Sequence, residues 1–206
     1  VLDFDGVILR SVGVKTRAFE ALFADETAEA RRRIVEHHLE NGGISRFEKF
    51  RWAYREVLRR PLPPEDEERL GERFNALVED AVAAAEWVPG AEEFLACARG
   101  KIPLFVASGT PEDEVRRIVE RRGMQQAFVR VHGSPTKKAD ILRNISRAIG
   151  ADPASLLMVG DARNDWEAAR DAGTRFLGIV EGPLTPFPSD AKILPNLRGL
   201  AAEVGI

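Results

Sequence analysis

Five short apolar segments constrain the fold of this chain more than any other feature of its sequence. Each stops abruptly at a polar or small residue, and they span residues 1–5, 102–108, 128–133, 156–161 and 175–180. Segments of this length and composition are typical of buried parallel strands. Helical patterns lie between the later segments, at residues 112–122, 138–149 and 165–172. The first has Thr110 as its predicted N-cap and Pro111 as its first helical residue. The alternation predicts an α/β fold with an open, doubly wound, Rossmann-like parallel sheet.

A long helical insertion interrupts this alternation after the first strand. Its amphipathic patterns contain no convincing strand and span residues 15–23, 28–40, 45–58 and 64–86. Ser45 and Glu48 have the spacing of a capping box, and the glycine pair before them predicts a sharp turn. We therefore predict two domains: an α/β core of residues 1–11 and 89–206, and a helical domain of residues 12–88.

Charge and composition exclude several classes of partner. Thirty Lys and Arg residues against 33 Asp and Glu give a net charge of −3, so no overall positive field favours nucleic acid or anionic lipid. No apolar run approaches the roughly 20 residues of a membrane span. Cys97 is the single cysteine, and we interpret it as a packing residue in a protein of the reducing cytoplasm. Any phosphate must therefore be bound by local groups.

Acidic residues follow two of the five apolar segments. Asp3 and Asp5 end the first, and their two-residue spacing directs both side chains to one side of an extended chain. Asp161 ends the fourth, and Asp165 lies at the start of the next helical pattern. Each pair alone also fits a turn former or a helix cap. Four carboxylates at one sheet edge would repel each other without a cation, and their oxygen ligands suit Mg²⁺ best.

Candidate anion-binding groups follow the other two central segments. Ser108, Gly109 and Thr110 place a hydroxyl and backbone N–H groups before a helix N-terminus. Lys137 and Lys138 precede the next helix, and either could reach into an acidic, phosphate-occupied site. Taken singly, both features also fit an ordinary solvated surface.

In its order of motifs, the chain resembles the haloacid dehalogenase-like superfamily of phosphatases, in the branch that contains phosphoglycolate phosphatase and β-phosphoglucomutase. The motifs of that family are DxDG, a strand-end Ser or Thr, a Lys, and GDxxxD. Here they read Asp3-Phe4-Asp5-Gly6, Ser108, Lys138 or Lys137, and Gly160-Asp161 through Asp165. The resemblance spans essentially the whole chain and makes the insertion similar to the family's helical cap. It implies the strand order 5-4-1-2-3.

The resemblance also implies a mechanism. Asp3 is the expected nucleophile, forming an aspartyl phosphate, and Asp5 is the expected general acid and base. Its presence argues against carbon–halogen and carbon–phosphorus cleavage and favours a small phosphomonoester as substrate. The remaining roles are Mg²⁺ binding by Asp3, Asp5, Asp161 and Asp165, and phosphate binding by Ser108, Gly109 and Lys138, with Lys137 as the alternative lysine.

Residues of the insertion raise further expectations. Gly43-Ile44-Ser45-Arg46 is similar to a cap loop of β-phosphoglucomutase-like members, which implies that Arg46 binds a second anionic group of the substrate. His37 and His38 point about 100° apart on a helix, so we predict surface positions rather than a metal site. Tryptophans 52, 87 and 166 are expected to pack in the core or at the cap hinge.

Two alternatives to a phosphatase remain open from the sequence. One is a sugar phosphomutase of the same fold, and the other is a non-catalytic phosphoacceptor or regulatory module. The chain is expected to act as a monomer or homodimer.

Overall fold

The structure, a computed structural model, describes residues 1–183 and 185–206. Its α-helices and strands follow in chain order as α1 (Val12–Leu22), α2 (Ala28–Glu40), α3 (Arg46–Trp52), α4 (Pro64–Ala83), α5 (Ala91–Ala98), β1 (Phe105–Pro111), α6 (Glu112–Arg121), β2 (Arg130–Ser134), α7 (Lys138–Ile149), β3 (Leu157–Gly160), α8 (Arg163–Ala172), β4 (Arg175–Ile179), β5 (Ile193–Leu194) and α9 (Leu200–Glu203). A π-helical segment, Ala53–Leu58, continues α3. Among these residues no helix is both long and apolar enough to cross a membrane.

The strands form a parallel sheet, as the sequence predicts. β1 pairs with β2, β3 with β4, and β4 with β5, all in parallel. Leu2 bridges Val106 of β1 and Val159 of β3, so the N-terminal segment lies between the two central strands. The prediction of a full strand over residues 1–5 is wrong, because only isolated bridges form there. β5 was not predicted, because a strand of two residues is too short to show a recognisable hydrophobic pattern.

The insertion consists of helices, as predicted, and has an aromatic core of its own. Phe19, Phe50 and Phe74 come from three different helices and are at most 1% exposed. Their ring centroids lie 5.0 to 6.2 Å apart. Burial of each ring contributes about 2–3 kcal/mol, so these rings fix the packing of α1, α3 and α4.

Helix termini follow local chemistry, with two corrections to the sequence analysis. Thr110 does not cap α6, because β1 extends to Pro111 and Pro111 itself is the N-cap residue. Ser45 is the N-cap residue of α3, but its side chain makes no capping hydrogen bond. α7 has the predicted bounds and ends at Gly150 in the left-handed conformation, which glycine adopts without strain.

The prediction that both histidines of α2 lie on the surface is wrong for His38. Its side chain is buried and stacks on Phe19 with 4.3 Å between ring centroids. His37 is half-buried and stacks on Trp52 at 3.6 Å. His38 follows the buried Ile34 by one helical turn, so the two residues share the inward face of α2.

Candidate active site

Three carboxylates meet at the carboxyl edge of the central strands. Asp3 follows the bridging residue Leu2, and its backbone N–H donates to the Val159 carbonyl at 2.8 Å. Asp161 follows β3 directly, and Asp165 lies in the first turn of α8. Each of the three offers an oxygen within 4.8 Å of the others. The structure therefore brings these predicted residues together.

Two glycines make this approach of carboxylates feasible. Gly6 has φ +81°, and a Cβ atom there would overlap the carboxylate of Asp161. A Cβ atom on Gly160 would likewise overlap the side chain of Asp165. The backbone at Gly6 and Gly160 therefore passes close to the acidic side chains, and a larger residue at either position would prevent this approach.

Lys138, rather than Lys137, reaches the carboxylates. Its Nζ lies 2.9 Å from Asp3 Oδ1 and 2.5 Å from Asp165 Oδ1, and the side chain is buried. Lys137 is exposed. Asp165 Oδ2 accepts a hydrogen bond from the Ala162 N–H at 3.0 Å, so both oxygens of Asp165 already have protein donors.

Crowding in this cluster favours protonated carboxyl groups. Burial, and then the charge of Asp165, raise the pKa of Asp3 from 3.8 to about 7, although Lys138 acts in the opposite direction. Burial and the charges of Asp3 and Asp165 raise the pKa of Asp161 well above its usual value. A cation between these carboxyl groups would offset the repulsion and favour their ionised forms.

The donor set fits a small, hard divalent cation. The hydrogen bonds of the described residues include none to the Asp161 carboxylate, and Asp3 Oδ1 takes those from Phe4 N (2.7 Å) and Lys138, leaving Oδ2 free. Carboxylate oxygens without protein donors are ligands for Mg²⁺. Because the oxygens of Asp165 are already engaged, that residue fits an orienting position better than a direct ligand position.

Asp5 has its own set of donors. Ser11 Oγ lies 2.5 Å from Asp5 Oδ1, Thr110 Oγ1 lies 3.1 Å from Oδ2, and Lys15 forms an ion pair with Oδ2. Burial alone would raise the pKa of Asp5, but Lys15 and these hydrogen bonds outweigh it and hold the pKa below its usual value. Asp5 is therefore ionised at neutral pH in this state.

The sequence analysis did not assign Lys15 to the site, and it named Thr110 as part of an anion-binding segment and as a helix cap but not as a partner of Asp5. Lys15 Nζ also donates to Thr110 Oγ1 at 2.7 Å. Lys15 lies on α1 of the insertion and Thr110 on β1 of the sheet, so this contact joins the insertion to the sheet beside Asp5. No spacing rule in the sequence links residues 95 positions apart.

The loop before α3 covers the site. A Cβ atom on Gly109 would overlap the Gly43 carbonyl, and Asn164 Nδ2 donates to that carbonyl at 3.2 Å. A Cβ atom on Gly42 would lie 3.0 Å from Ala162 Cβ. Ser108 is buried below this loop, and its Oγ accepts from the Thr110 N–H at 3.1 Å. The insertion is thus closed on the sheet in this structure.

A cavity of about 170 Å³ lies between the insertion and the sheet, and Asp3, Asp5 and Asp161 line one side of it. Arg46 also lines this cavity, is 5% exposed, and forms an ion pair with Glu114 of α6. Its Nη1 is buried without a hydrogen-bond partner among the described residues. Ser108 and Lys138 border an adjoining groove that shares Gly43 and Gly109 with the cavity.

The fold is an α/β sheet with a carboxylate cluster at its edge and a helical insertion closed over it. This combination is found in a class of hydrolases, and comparison with protein families identifies the same class. Residues 1–173 match the haloacid dehalogenase-like hydrolase family. The chain belongs to that family.

Individual relatives narrow the comparison. A phosphoglycolate phosphatase of Synechococcus elongatus is 29% identical over 136 residues, which cover 64% of this chain and 64% of the relative. The match thus spans less than two thirds of that relative. A phosphoglycolate phosphatase of Shigella boydii is 28% identical over 203 residues, covering 87% of this chain and 80% of the relative. A hydrolase from Pseudomonas syringae shares the fold, with a TM-score of 0.78, 19% identity, and coverage of 99% and 96% of the two chains.

Proposed function

We propose that this chain is a Mg²⁺-dependent phosphatase that hydrolyses a small phosphomonoester through an aspartyl phosphate on Asp3. The observation that carries the proposal is the position of Asp3: buried, 2.9 Å from the Lys138 ammonium, and facing the same cavity as Asp5. A nucleophile, a proton-transferring group and an anion-binding cation then surround one site.

The first step transfers the phosphoryl group to Asp3. Its free oxygen, Oδ2, attacks phosphorus while Oδ1 is held by Phe4 N and Lys138. The bond from phosphorus to the ester oxygen breaks, and that oxygen takes a proton from Asp5. Because its hydrogen bonds and Lys15 favour the ionised form of Asp5, this residue has to gain a proton before it can donate one to the ester oxygen.

The second step releases phosphate. Asp5, ionised again, accepts a proton from a water molecule, whose oxygen attacks phosphorus and frees the Asp3 carboxylate. Lys15, Ser11 and Thr110 hold Asp5 in the form that this step needs. Ser108, Gly109 and Lys138 are proposed to bind the phosphoryl oxygens.

Asp3, Asp161 and the main-chain carbonyl of Asp5 are proposed to hold Mg²⁺, with Asp165 orienting its surroundings. When bound, the ion supplies positive charge against the phosphoryl oxygens and the crowded carboxylates.

The insertion, residues 12–88, is proposed as a cap domain on a core of residues 1–11 and 89–206. The contacts of Gly43 with Gly109 and Asn164 support a closed state that excludes water from the cavity. A cytoplasmic location is proposed on the single cysteine alone.

The substrate is proposed to be a short phosphorylated acid. The relatives are phosphoglycolate phosphatases by name, and Arg46 lines the same small cavity as Asp3. This arrangement suits a second anionic group a few bonds from the phosphate.

A phosphomonoester panel with Mg²⁺ and EDTA arms tests this function. We expect release of phosphate from 2-phosphoglycolate and p-nitrophenyl phosphate with Mg²⁺, and none with EDTA. Isomerisation of a hexose phosphate without net phosphate release would instead identify a mutase. No turnover of any ester would favour a non-catalytic phosphoacceptor.

Replacing Arg46 with alanine is expected to raise KM for 2-phosphoglycolate by ~10-fold or more, because a hydrogen-bonded charge pair is lost. The KM for p-nitrophenyl phosphate should change much less. Arg51→Ala on the same helix, whose side chain is 57% exposed, serves as the matched control. Equal effects of Arg46→Ala on both substrates would refute recognition of a distal anionic group.

A further inference from the structure

Lys49 is a buried cation for which the mechanism above has no use. It lies on α3, three residues after Arg46, so the two side chains leave the same face of the helix. Lys49 is 5% exposed and lines the same cavity as the carboxylates. Among the described residues, no carboxylate lies within 4.0 Å of its Nζ.

The other cations of the cavity are all paired. Lys15 pairs with Asp5, Arg46 with Glu114, and Arg163 with Glu167. Lys138 at the adjoining groove pairs with Asp3 and Asp165. Of the described cations that line the cavity itself, Lys49 is thus the one that these ion pairs leave uncompensated.

The hydrogen-bond partners of Lys49 are neutral and come from one residue, and its Nζ also lies 5.8 Å from the centroid of the Phe19 ring. Its Nζ lies 3.1 Å from His38 Nδ1 and 3.1 Å from the His38 carbonyl. Burial, and then the charges of Lys49 and Lys15, lower the pKa of His38 to about 3, so the ring is neutral and its Nδ1 accepts. An ammonium group has three N–H donors, so one remains for a ligand in the cavity.

A purely structural role explains this arrangement poorly. Burial of an unpaired ammonium group is unfavourable by several kcal/mol, and an apolar chain of similar length would fill the same space without that cost. His38 is in turn fixed by its stacking on Phe19. The structure thus holds a single positive charge at a set place in the cavity.

We propose that Lys49 binds the anionic group of the substrate that is not transferred, that this group is a carboxylate, and that His38 positions the Lys49 ammonium for it. The proposal rests on the proposed phosphatase function. One uncompensated ammonium group, next to an Arg46 that is already paired with Glu114, matches a group with one negative charge. A second phosphate, with up to two negative charges, would remain partly unneutralised there.

The protonation of Lys49 should make binding of the carboxylate depend on pH. A purely structural role of Lys49 would not produce this pH dependence. Burial, and then the charge of Lys15, lower the pKa of Lys49 to about 7, with a smaller effect of Lys138 and an opposing one of Asp5. His38 faces it from α2 as a neutral group. As pH rises through 7, Lys49 loses its proton, and carboxylate binding should weaken.

The experiment compares two substrates that differ only at the distal group: 2-phosphoglycolate, with a carboxylate, and 2-hydroxyethyl phosphate, with a neutral hydroxymethyl group. Lys49→Met and Lys49→Gln remove the charge, and Lys101→Met, at an exposed lysine in the turn between α5 and β1, is the control. We expect both Lys49 variants to lower kcat/KM for 2-phosphoglycolate by ~10- to 100-fold, mainly through KM. For 2-hydroxyethyl phosphate the change should stay within about threefold.

For the wild-type enzyme, the ratio of kcat/KM for 2-phosphoglycolate to kcat/KM for 2-hydroxyethyl phosphate should fall as pH rises from 6 to 8. In Lys49→Met this ratio should not change with pH. Equal loss on both substrates, or a ratio with unchanged pH dependence in the variant, would overturn the role of Lys49 and leave the phosphatase function standing. If the wild-type enzyme hydrolyses neither these two esters nor p-nitrophenyl phosphate, the proposed function and this proposal are overturned together.

Discussion

Replacing Asp3 with asparagine is expected to lower kcat for every phosphomonoester by ~10⁴-fold or more, because the variant has no nucleophile to accept the phosphoryl group. The fold should survive. Asparagine keeps an oxygen to accept from Phe4 N, and Lys138 retains its pair with Asp165. The change also removes one member of a crowded acidic cluster, so the melting temperature should not fall.

Steady-state kinetics and thermal unfolding of purified Asp3→Asn test this expectation. The matched control is Asp140→Asn, a carboxylate on the surface of α7 that is 55% exposed. Activity within ~10-fold of wild type would refute the nucleophile assignment, whereas loss of folded protein would show that Asp3 is needed for packing.

Asp161→Asn has the second largest expected effect, on both activity and the response to metal. We expect kcat/KM to fall by at least ~100-fold. Mutations of residues that only support metal ligands cost up to about 100-fold, and loss of a ligand itself should cost at least as much. Wild-type protein should gain about 5 °C or more in melting temperature at a Mg²⁺ concentration 100 times Kd. The variant should gain little.

Stability of the metal-free protein should also depend on pH. Folding raises the pKa of Asp3 from 3.8 to about 7, so the folded state holds this proton more tightly than the unfolded state. The resulting stabilisation is fully present below pH 3.8 and is lost as pH rises through about 7. Asp161→Asn relieves part of the repulsion and should flatten this loss.

Thermal unfolding at pH 5 and pH 8, each with EDTA or Mg²⁺, measures both effects. Asp171→Asn, a 49% exposed carboxylate of α8, is the control. An Mg²⁺-induced shift of the same size in Asp161→Asn and wild type would refute the role of Asp161 as a ligand.

The placement of the carboxylate cluster could be predicted from the sequence because parallel strands align their carboxyl ends. Asp3, Asp161 and Asp165 each follow or border an apolar segment, and the alternation of strands and helices forces those segment ends to one edge. The choice between Lys137 and Lys138 needed the structure, since adjacent residues at a helix start point in different directions. Burial of Lys138 resolves it.

The contacts between the insertion and the sheet could not be predicted in the same way. Lys15 contacts Thr110 and Asp5 because segments far apart in the sequence pack together. The periodicity of hydrophobic residues within one helix or strand does not predict such a contact. The sequence predicted Thr110 as a helix cap. In the structure it lies within β1, and its hydroxyl donates a hydrogen bond to Asp5. The surface position predicted for His38 was wrong because the 100° angle between adjacent helical side chains excludes a shared metal ion but not burial, and His38 lies one turn after the buried Ile34.

An acid-quench experiment on the covalent intermediate tests the central claim most directly. Asp5→Asn is mixed with radiolabelled p-nitrophenyl phosphate and Mg²⁺, then denatured in acid. Because nitrophenolate leaves without a proton, phosphorylation of Asp3 should proceed, while hydrolysis of the acyl phosphate should be slow without the Asp5 base. We predict label on the protein that hydroxylamine removes and that is absent from the Asp3→Asn, Asp5→Asn double variant. Label that persists in the double variant, or nitrophenolate release by Asp5→Asn without any protein-bound label, would contradict the account.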